Sequence, residues 1–313
     1  THISTCAPRS TPRSTASRCR CPTNSTDRAG RADRKPPQTC FSEWVPLNCN
    51  YHEVKYSSSF SYDCGGSRHC GIYSNGKSGI TIKNCKVHGF NMTSAAGIVI
   101  SGGHNATVDA NSSYSNYKGI IIENHDSASL SSEIYDNADE GISLRSVSNS
   151  AIFGLDTLNN KDGIDEGSGS TTGGNHNEFS YLFTELNALN GIEIEYSVFG
   201  VYDTIGSYSN GQNGFSFDST NGTSAGGAFS GGHMLNCESS DNAKTGIRTQ
   251  DYSYFWFEDN TSDQNGSDKD AYSETKGAGV YFFDNAYTIC CSPATFPTLG
   301  CDNDIPGSQC NNY

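Results

Sequence analysis

From Gly79 onward the chain keeps returning to one alternation: a glycine, an apolar residue, a variable residue and a second apolar residue. GITIKN begins at Gly79, GIVISG at Gly97, GIIIEN at Gly119, GISLRS at Gly141 and GIDEGS at Gly163. GIEIEY follows at Gly191, GFSFDS at Gly214, GIRTQD at Gly246 and GVYFFD at Gly279. Period-two alternation predicts half-buried strands. The glycines step by 18, 22, 22, 22, 28, 23, 32 and 33 residues. One such strand cannot bury its apolar side, whereas copies stacked ~4.8 Å apart share a continuous interior. A period near 22 is too short for a propeller blade or a βαβ unit, and no helical periodicity separates the units. The predicted fold is all-β: a coil of parallel strands, a β-solenoid.

A second register accompanies the first. Asn75, Asn137, Asn159, Asn187, Asn210 and Asn242 each stand four residues before a repeat glycine. Stacked asparagines can bond to one another and to turn backbone, so a ladder along the coil is expected. The GI-x-I strands, the preceding Asn and the 22-residue step resemble the right-handed parallel β-helix repeats of the pectate-lyase-like superfamily. The resemblance covers about Asn75 to Asp284. It implies the right-handed parallel β-helix fold, and a fold that hosts lyases, hydrolases, epimerases, adhesins and tail spikes does not by itself choose a function.

Composition divides the chain into three. Residues 1–50 form an expected arm, rich in Pro, Ser and Thr, with Ile3 its sole large aliphatic residue up to Cys40. The arm carries a net charge of +5 and the remainder −19, for a total of −14. Residues 51–285 are the expected β-helix. Residues 286–313 are an expected disulfide-tied cap, which would cover strand edges open to another chain. Docking of the basic arm on the acidic body of a neighbour would give self-association. Nucleic acid is not an expected partner of so acidic a body.

Thirteen cysteines indicate an oxidising compartment. Cys6, Cys19, Cys21, Cys40, Cys49, Cys64, Cys70, Cys290, Cys291, Cys301 and Cys310 are the expected disulfide formers. The odd count leaves one thiol over, for which Cys85 and Cys237, both in strand-like stretches, are the candidates. Seven sequons, at Asn24, Asn91, Asn105, Asn111, Asn221, Asn260 and Asn265, add the expectation of a secreted, N-glycosylated protein. No run is apolar enough to span a membrane. The first residue is Thr1 and no leader-like stretch follows it, as expected of a processed chain.

The candidate chemistry lies in the outward columns. Places two and four of each unit face inward, places three and five outward. The third place runs Thr81, Val99, Ile121, Ser143, Asp165, Glu193, Ser216, Arg248, Tyr281. The fifth runs Lys83, Ser101, Glu123, Arg145, Gly167, Glu195, Asp218, Gln250, Phe283. Asp165 thus falls beside Glu193 and Glu195 beside Asp218, with Arg145 and Arg248 flanking. Neighbouring acids repel, so one is expected to keep its proton as general acid while the other serves as base. Oxygen ligation of Ca²⁺ is the competing use, and a solvated polar face is the plain alternative. Tyr196 and the run Tyr252 to Phe257 are candidate sugar-stacking residues. His104 and His125 follow successive units and are expected to be turn residues.

Glu166 occupies an inward fourth place, between Leu144 and Ile194, where an unpaired charge costs several kcal/mol. The favoured expectation is a bulge at Gly167 and Gly169 that turns the acid outward. The other is a cation site formed with Asp162 and Asp165. NKDGID, from Asn160, resembles the Asn-Thr-Asp-Gly stretch of polygalacturonases with Lys161 in the Thr place, but that family's following Asp-Asp pair is absent. Gly232-His233 is followed by Met234, Arg248 by Thr249, and the Asp-Pro-His of mannuronan epimerases is missing. Two functions are therefore expected: first a structural subunit of an extracellular filament or matrix, and second a polysaccharide-active enzyme using Asp165, Glu193, Glu195 and Asp218.

Overall fold

The computed structural model describes residues 46–58, 64, 68–167, 174, 176–195, 199–218, 232–250, 255–266, 271–274, 280–283 and 289–291. These residues form a parallel β-solenoid without a helix. Two parallel sheets wall the coil, one of ten strands and one of fourteen. The arm up to residue 45 lies outside the described residues, as do Asn24, Asn221, Cys301, Cys310 and the side chains of Cys290 and Cys291.

The interior of the ten-stranded sheet is the stack of repeat isoleucines. Ile72, Ile98, Ile120, Ile142, Ile164, Ile192, Phe215 and Ile247 pair in direct register from strand to strand. All are buried, and each contributes about 1.5–3 kcal/mol by leaving water. The repeat glycines begin these strands because no Cβ fits there. One added at Gly163 would lie 2.4 Å from the Gly191 carbonyl oxygen and 2.9 Å from Asn187 Nδ2.

Two of the nine units belong to the other wall. The strand Thr81–Lys83 pairs with Leu47–Asn48 and Thr107–Tyr114, and Val280–Phe283 pairs with Phe255–Glu258, all within the fourteen-stranded sheet. The ten-stranded sheet starts instead at Cys70–Asn75, whose Ile72 faces Ile98. Beyond Ile247–Gln250 it continues through Ala271–Glu274 to Ile289–Cys291. Thr81, Lys83, Tyr281 and Phe283 therefore leave the outward columns of the repeat face. Each turn of the coil contains strands of both walls, and alternation does not say which wall a strand joins.

The corners explain the asparagines. At one corner a residue takes a positive φ and the next turns inward: Asp136 then Asn137, Asn159 then Asn160, Leu186 then Asn187, Ser209 then Asn210, Asp241 then Asn242. The inward amides form the ladder. The backbone N–H of Asn116 donates to Asn137 Oδ1 at 3.1 Å, and that of Asn137 to Asn160 Oδ1 at 3.1 Å. The series continues through Asn187, Asn210 and Asn242 to Asn265. Asn75 and Asn159 are exposed and stand outside it. The fixed quantity is the step from the corner residue, while the turn from corner to glycine varies by one residue.

A second corner buries two sequon residues. Asn111 accepts from Cys85 N–H and donates to the Ile82 carbonyl, and Asn260 accepts from Cys237 N–H and donates to that of Met234. Both are 1 % exposed, so neither amide can carry a glycan in the folded coil. Asn265 is half-buried in the ladder, while Asn91 and Asn105 are exposed. Cys85 is not the spare thiol either: it is bonded to Cys49, tying the first turns together, and Cys64 is bonded to Cys70. Among the described residues Cys237 is the free cysteine. It is buried, with its thiol pushed up to about 12 by that burial.

Candidate functional site

The outward surface of the ten-stranded sheet changes character along the coil. At its first turns Val99 and Ile121 are covered by a small apolar cluster with Cys64, Cys70, Ala96 and Tyr73. Arg68 clamps this cover in place by donating from Nη1 to both carboxylate oxygens of Glu123 at 2.9 Å. The next turns are polar. Ser143, Asp165, Glu193, Ser216 and Arg248 follow one another in register.

Asp165 and Glu193 are therefore vertical neighbours, as are Glu195 and Asp218 at backbone level. Asp165 is only 5 % exposed. Glu193 is half-buried and accepts from Asn190 Nδ2 at 3.2 Å. Arg145 is half-buried and in register with Glu123. Arg248 is two strands from Glu193, across Ser216. The side chain of Asp218 lies outside the described residues.

Beside Asp165 is an ion network, buried except at Lys161, that the repeat columns did not single out. Lys118 contacts Glu140 and reaches Asp139 at 3.1 Å, and Lys161 reaches the same Asp139 at 3.1 Å and Asp162 at 4.0 Å. Burial lowers the Lys118 pKa against the pull of Asp139 and Asp165. Burial pushes the Asp139 carboxyl up, but the two lysines outweigh it and leave the pKa lowered. Asp162 is raised by burial, although its Oδ1 accepts from Asn190 N–H at 2.9 Å. The sequence signal was present: Lys118, Glu140 and Asp162 each immediately precede a repeat glycine, 22 residues apart.

Glu166 corrects an expectation. It stays inside, in register with Leu144 and Ile194, and is 1 % exposed. Asn177 Nδ2 donates to its Oε1 at 2.6 Å. The left-handed residue is Gly167, at φ 105°, so the backbone departs from the strand one position too late to turn the acid out. The cation site fails with the bulge. Consecutive strand residues point to opposite faces, so Glu166 and Asp165 cannot converge with Asp162 on one Ca²⁺. Among the described residues no group of three metal-ligating side chains comes together.

The stacking residues also move. Phe255 and Phe257 are interior, their rings 4.6 Å apart, and Trp256 is exposed on the fourteen-stranded sheet. Tyr196 and Tyr252 to Tyr254 lie outside the described residues. His104 and His125 are not turn residues: His125 lies in the strand Lys118–Asp126, in register with Val147, and His104 forms an isolated parallel bridge with Asp126. His125 Nε2 accepts from Ala106 N–H and its Nδ1 donates to the Gly102 carbonyl, which suits a neutral ring whose pKa burial lowers.

Fold and face define a parallel β-helix with an enclosed row of charged side chains on the outer surface of one wall. Residues 47–180 match the family model described as a right-handed β-helix region. The chain is similar to the alginate lyase from Paenibacillus sp. str. FPU-7, at 15 % identity and TM-score 0.49, over 71 % of this chain and 90 % of that one. It is similar to the periplasmic alginate epimerase AlgG, at 15 % identity and TM-score 0.47, over 70 % of this chain and 49 % of that one. The A-module of the Azotobacter vinelandii mannuronan C-5 epimerase AlgE6 gives 13 % identity and TM-score 0.45, over 73 % and 79 %. The chain thus spans about half the length of the alginate epimerase. At such identities the likeness is one of fold alone. No curated protein sequence matches the chain. No helix among the described residues is long and apolar enough to cross a membrane.

Proposed function

We propose that the protein is a secreted enzyme acting on polysaccharide, with Asp165 and Glu193 as its acid–base pair. The observation that supports this most is their register: two carboxylates on adjacent strands of the outward face, one almost fully enclosed. A solvated face has no reason to enclose an acid. Cleaving or epimerising a sugar chain needs one group to give a proton and another to take one at the reacting centre. Acids one strand apart can divide those tasks. Lys118 and Arg145 lie near enough to act on each other electrostatically, and Lys118 also feels Asp165. Of the two, Arg145, half-buried on the same wall, is the one free of the Asp139–Glu140 pairs to supply positive charge for a uronate or a developing oxyanion.

The disulfides Cys49–Cys85 and Cys64–Cys70 fit an oxidising compartment. The filament reading drew on the charge split between basic arm and acidic body, the odd thiol, the arm and the missing catalytic motifs; residues 1–45 lie outside the described residues, and nothing in the described coil favours it. The test is turnover of a panel of neutral and uronate glycans by the full chain. Asp165→Asn and Glu193→Gln are each expected to lower it at least ~100-fold with the circular dichroism spectrum unchanged. A panel showing no cleavage or epimerisation by the unaltered protein would overturn the proposal.

A further inference from the structure

The outward face of the fourteen-stranded sheet presents large rings where the plain expectation is small polar residues. Phe153, Tyr181 and Phe183 are 40 %, 62 % and 55 % exposed. They sit together: Phe153 is in register with Ser180, next to Tyr181, and Asp156 is in register with Phe183. Acids surround them. Glu133, Glu178 and Glu185 are exposed, and Asp203 is half-buried.

The lysines of that wall, Lys55, Lys83 and Lys86, lie in its first turns, and none is in register with these acids. From Thr107–Tyr114 through to Thr261–Asp263 its strands contain Asp and Glu but no Lys or Arg. Glu133 and Asp156 even stand in register as like charges. Burial pushes the Asp156 carboxyl up, and Glu133 adds to it. A surface of rings and uncompensated carboxylates fits the guanidinium group, which stacks on aromatic faces and forks onto carboxylates.

This chain carries such groups at one end. Residues 9–35 hold Arg9, Arg13, Arg18, Arg20, Arg28, Arg31, Arg34 and Lys35 against Asp27 and Asp33. The reach is short. The chain enters the coil at Leu47–Asn48, a member of the same sheet, five strands from Glu178–Glu185. That is about 24 Å at one strand spacing per step. The eleven residues from Lys35 to residue 46 extend to as much as about 36 Å. A tether of that length holds the segment near the face at millimolar effective concentration.

We propose that the arginine-rich segment, residues 9–35, docks in cis on the Phe153–Tyr181–Phe183 face and its flanking acids. This interaction surface is separate from the Asp165–Glu193 face, so its test is independent of the catalytic proposal.

The test is zero-length carbodiimide cross-linking of the full chain, prepared as an equal mixture of ¹⁴N and ¹⁵N protein and read by mass spectrometry. Links from Lys35 to Glu133, Asp156, Glu178 or Glu185 are expected, within molecules of a single isotope. They should fall several-fold in 0.5 M NaCl, as screening requires. A second variant, Arg28→Glu/Arg31→Glu/Arg34→Glu, should abolish them and raise the nitration of Tyr181 several-fold. Mixed-isotope links would put a second copy on the face and overturn the cis assignment. Links to the ten-stranded face, or no links together with unchanged Tyr181 nitration in the variant, would overturn the docking itself.

Discussion

The two walls of this coil share a core and differ in what they show outward. The ten-stranded wall interleaves Lys118, Arg145 and Arg248 with its acids and encloses several of them, so that Lys118, Asp139 and Glu140 form ion pairs under cover. The fourteen-stranded wall keeps its lysines to its first turns, where Lys83 stands in register with Asp109; from Ser129 to Asp263 its strands hold no Lys or Arg, and rings are exposed among their acids. Burying charge is costly unless each ion finds a partner. An enclosed network is therefore harder to reach by chance than an open acidic face. On the two proposals above, the first wall carries the chemistry and the second the docking segment.

The sharpest way to break this comparison is to remove one acid from each wall. Asp165→Asn is expected to lower glycan turnover at least ~100-fold, whereas Asp156→Asn, on the other wall, should leave kcat/KM within about twofold. Equal losses would erase the distinction. Next in size is the corner that joins the walls. Asn187 receives the Asn160 N–H and donates to Asn210 and to the Thr157 carbonyl. Asn187→Ala strands those groups in the interior and should cost about 2–4 kcal/mol in urea unfolding. It should also speed hydrogen exchange in both Glu178–Glu185 and Ile192–Glu195, and exchange in only one wall would show that the corners do not couple them.

Smaller effects sharpen the picture through pH. Asp162 has a raised folded pKa, so the folded state binds its proton more tightly than the unfolded chain does. Its contribution is favourable below the unfolded value and is lost as pH rises through the folded one. Asp162→Asn keeps an oxygen for Asn190 N–H and should therefore be more stable than the parent at pH 7, by an amount on the order of 1 kcal/mol. That advantage should disappear in acid. Asp139 runs the other way: its lowered pKa gives stability above the unfolded value that is lost as pH falls, so Asp139→Asn should cost stability at pH 7 and nothing in acid. Thermal melts across pH check both signs. Smallest of all, Tyr181→Ser and Phe183→Ser on the open wall should change stability by under about 0.5 kcal/mol, in contrast to about 3 kcal/mol for Ile164→Ala in the shared core.

Much of this was legible in the sequence, and the misses have physical causes. The column Ile120, Ile142, Ile164 and Ile192 was predicted from alternation and period alone, and the register confirms it. The neighbour relation of Asp165 and Glu193 followed from the same period. The units at Gly79 and Gly279 went to the wrong wall because period-two patterning has no memory of which sheet it serves; the step of 18 after Gly79 stood apart, but the 33 before Gly279 differs little from the 32 before Gly246, which keeps its wall. The ladder slipped by one at Asn159 because counting from the glycine ignores where the corner residue takes its positive φ. Lys118 and Glu140 escaped notice because they stand one place before the repeat glycines from which the columns were counted, although Lys118 already opens the strand Lys118–Asp126. Glu166 was expected to turn out because a buried acid is costly. The interior instead supplies Asn177, which alternation could not foresee.

The most direct measurement is a paired steady-state assay of the full chain on whichever glycan it turns over, with Asp165→Asn and Asp156→Asn alongside. The expected result is loss of at least ~100-fold for the first and near-parent kinetics for the second. Near-parent kinetics for Asp165→Asn would contradict the assignment of chemistry to the enclosed wall.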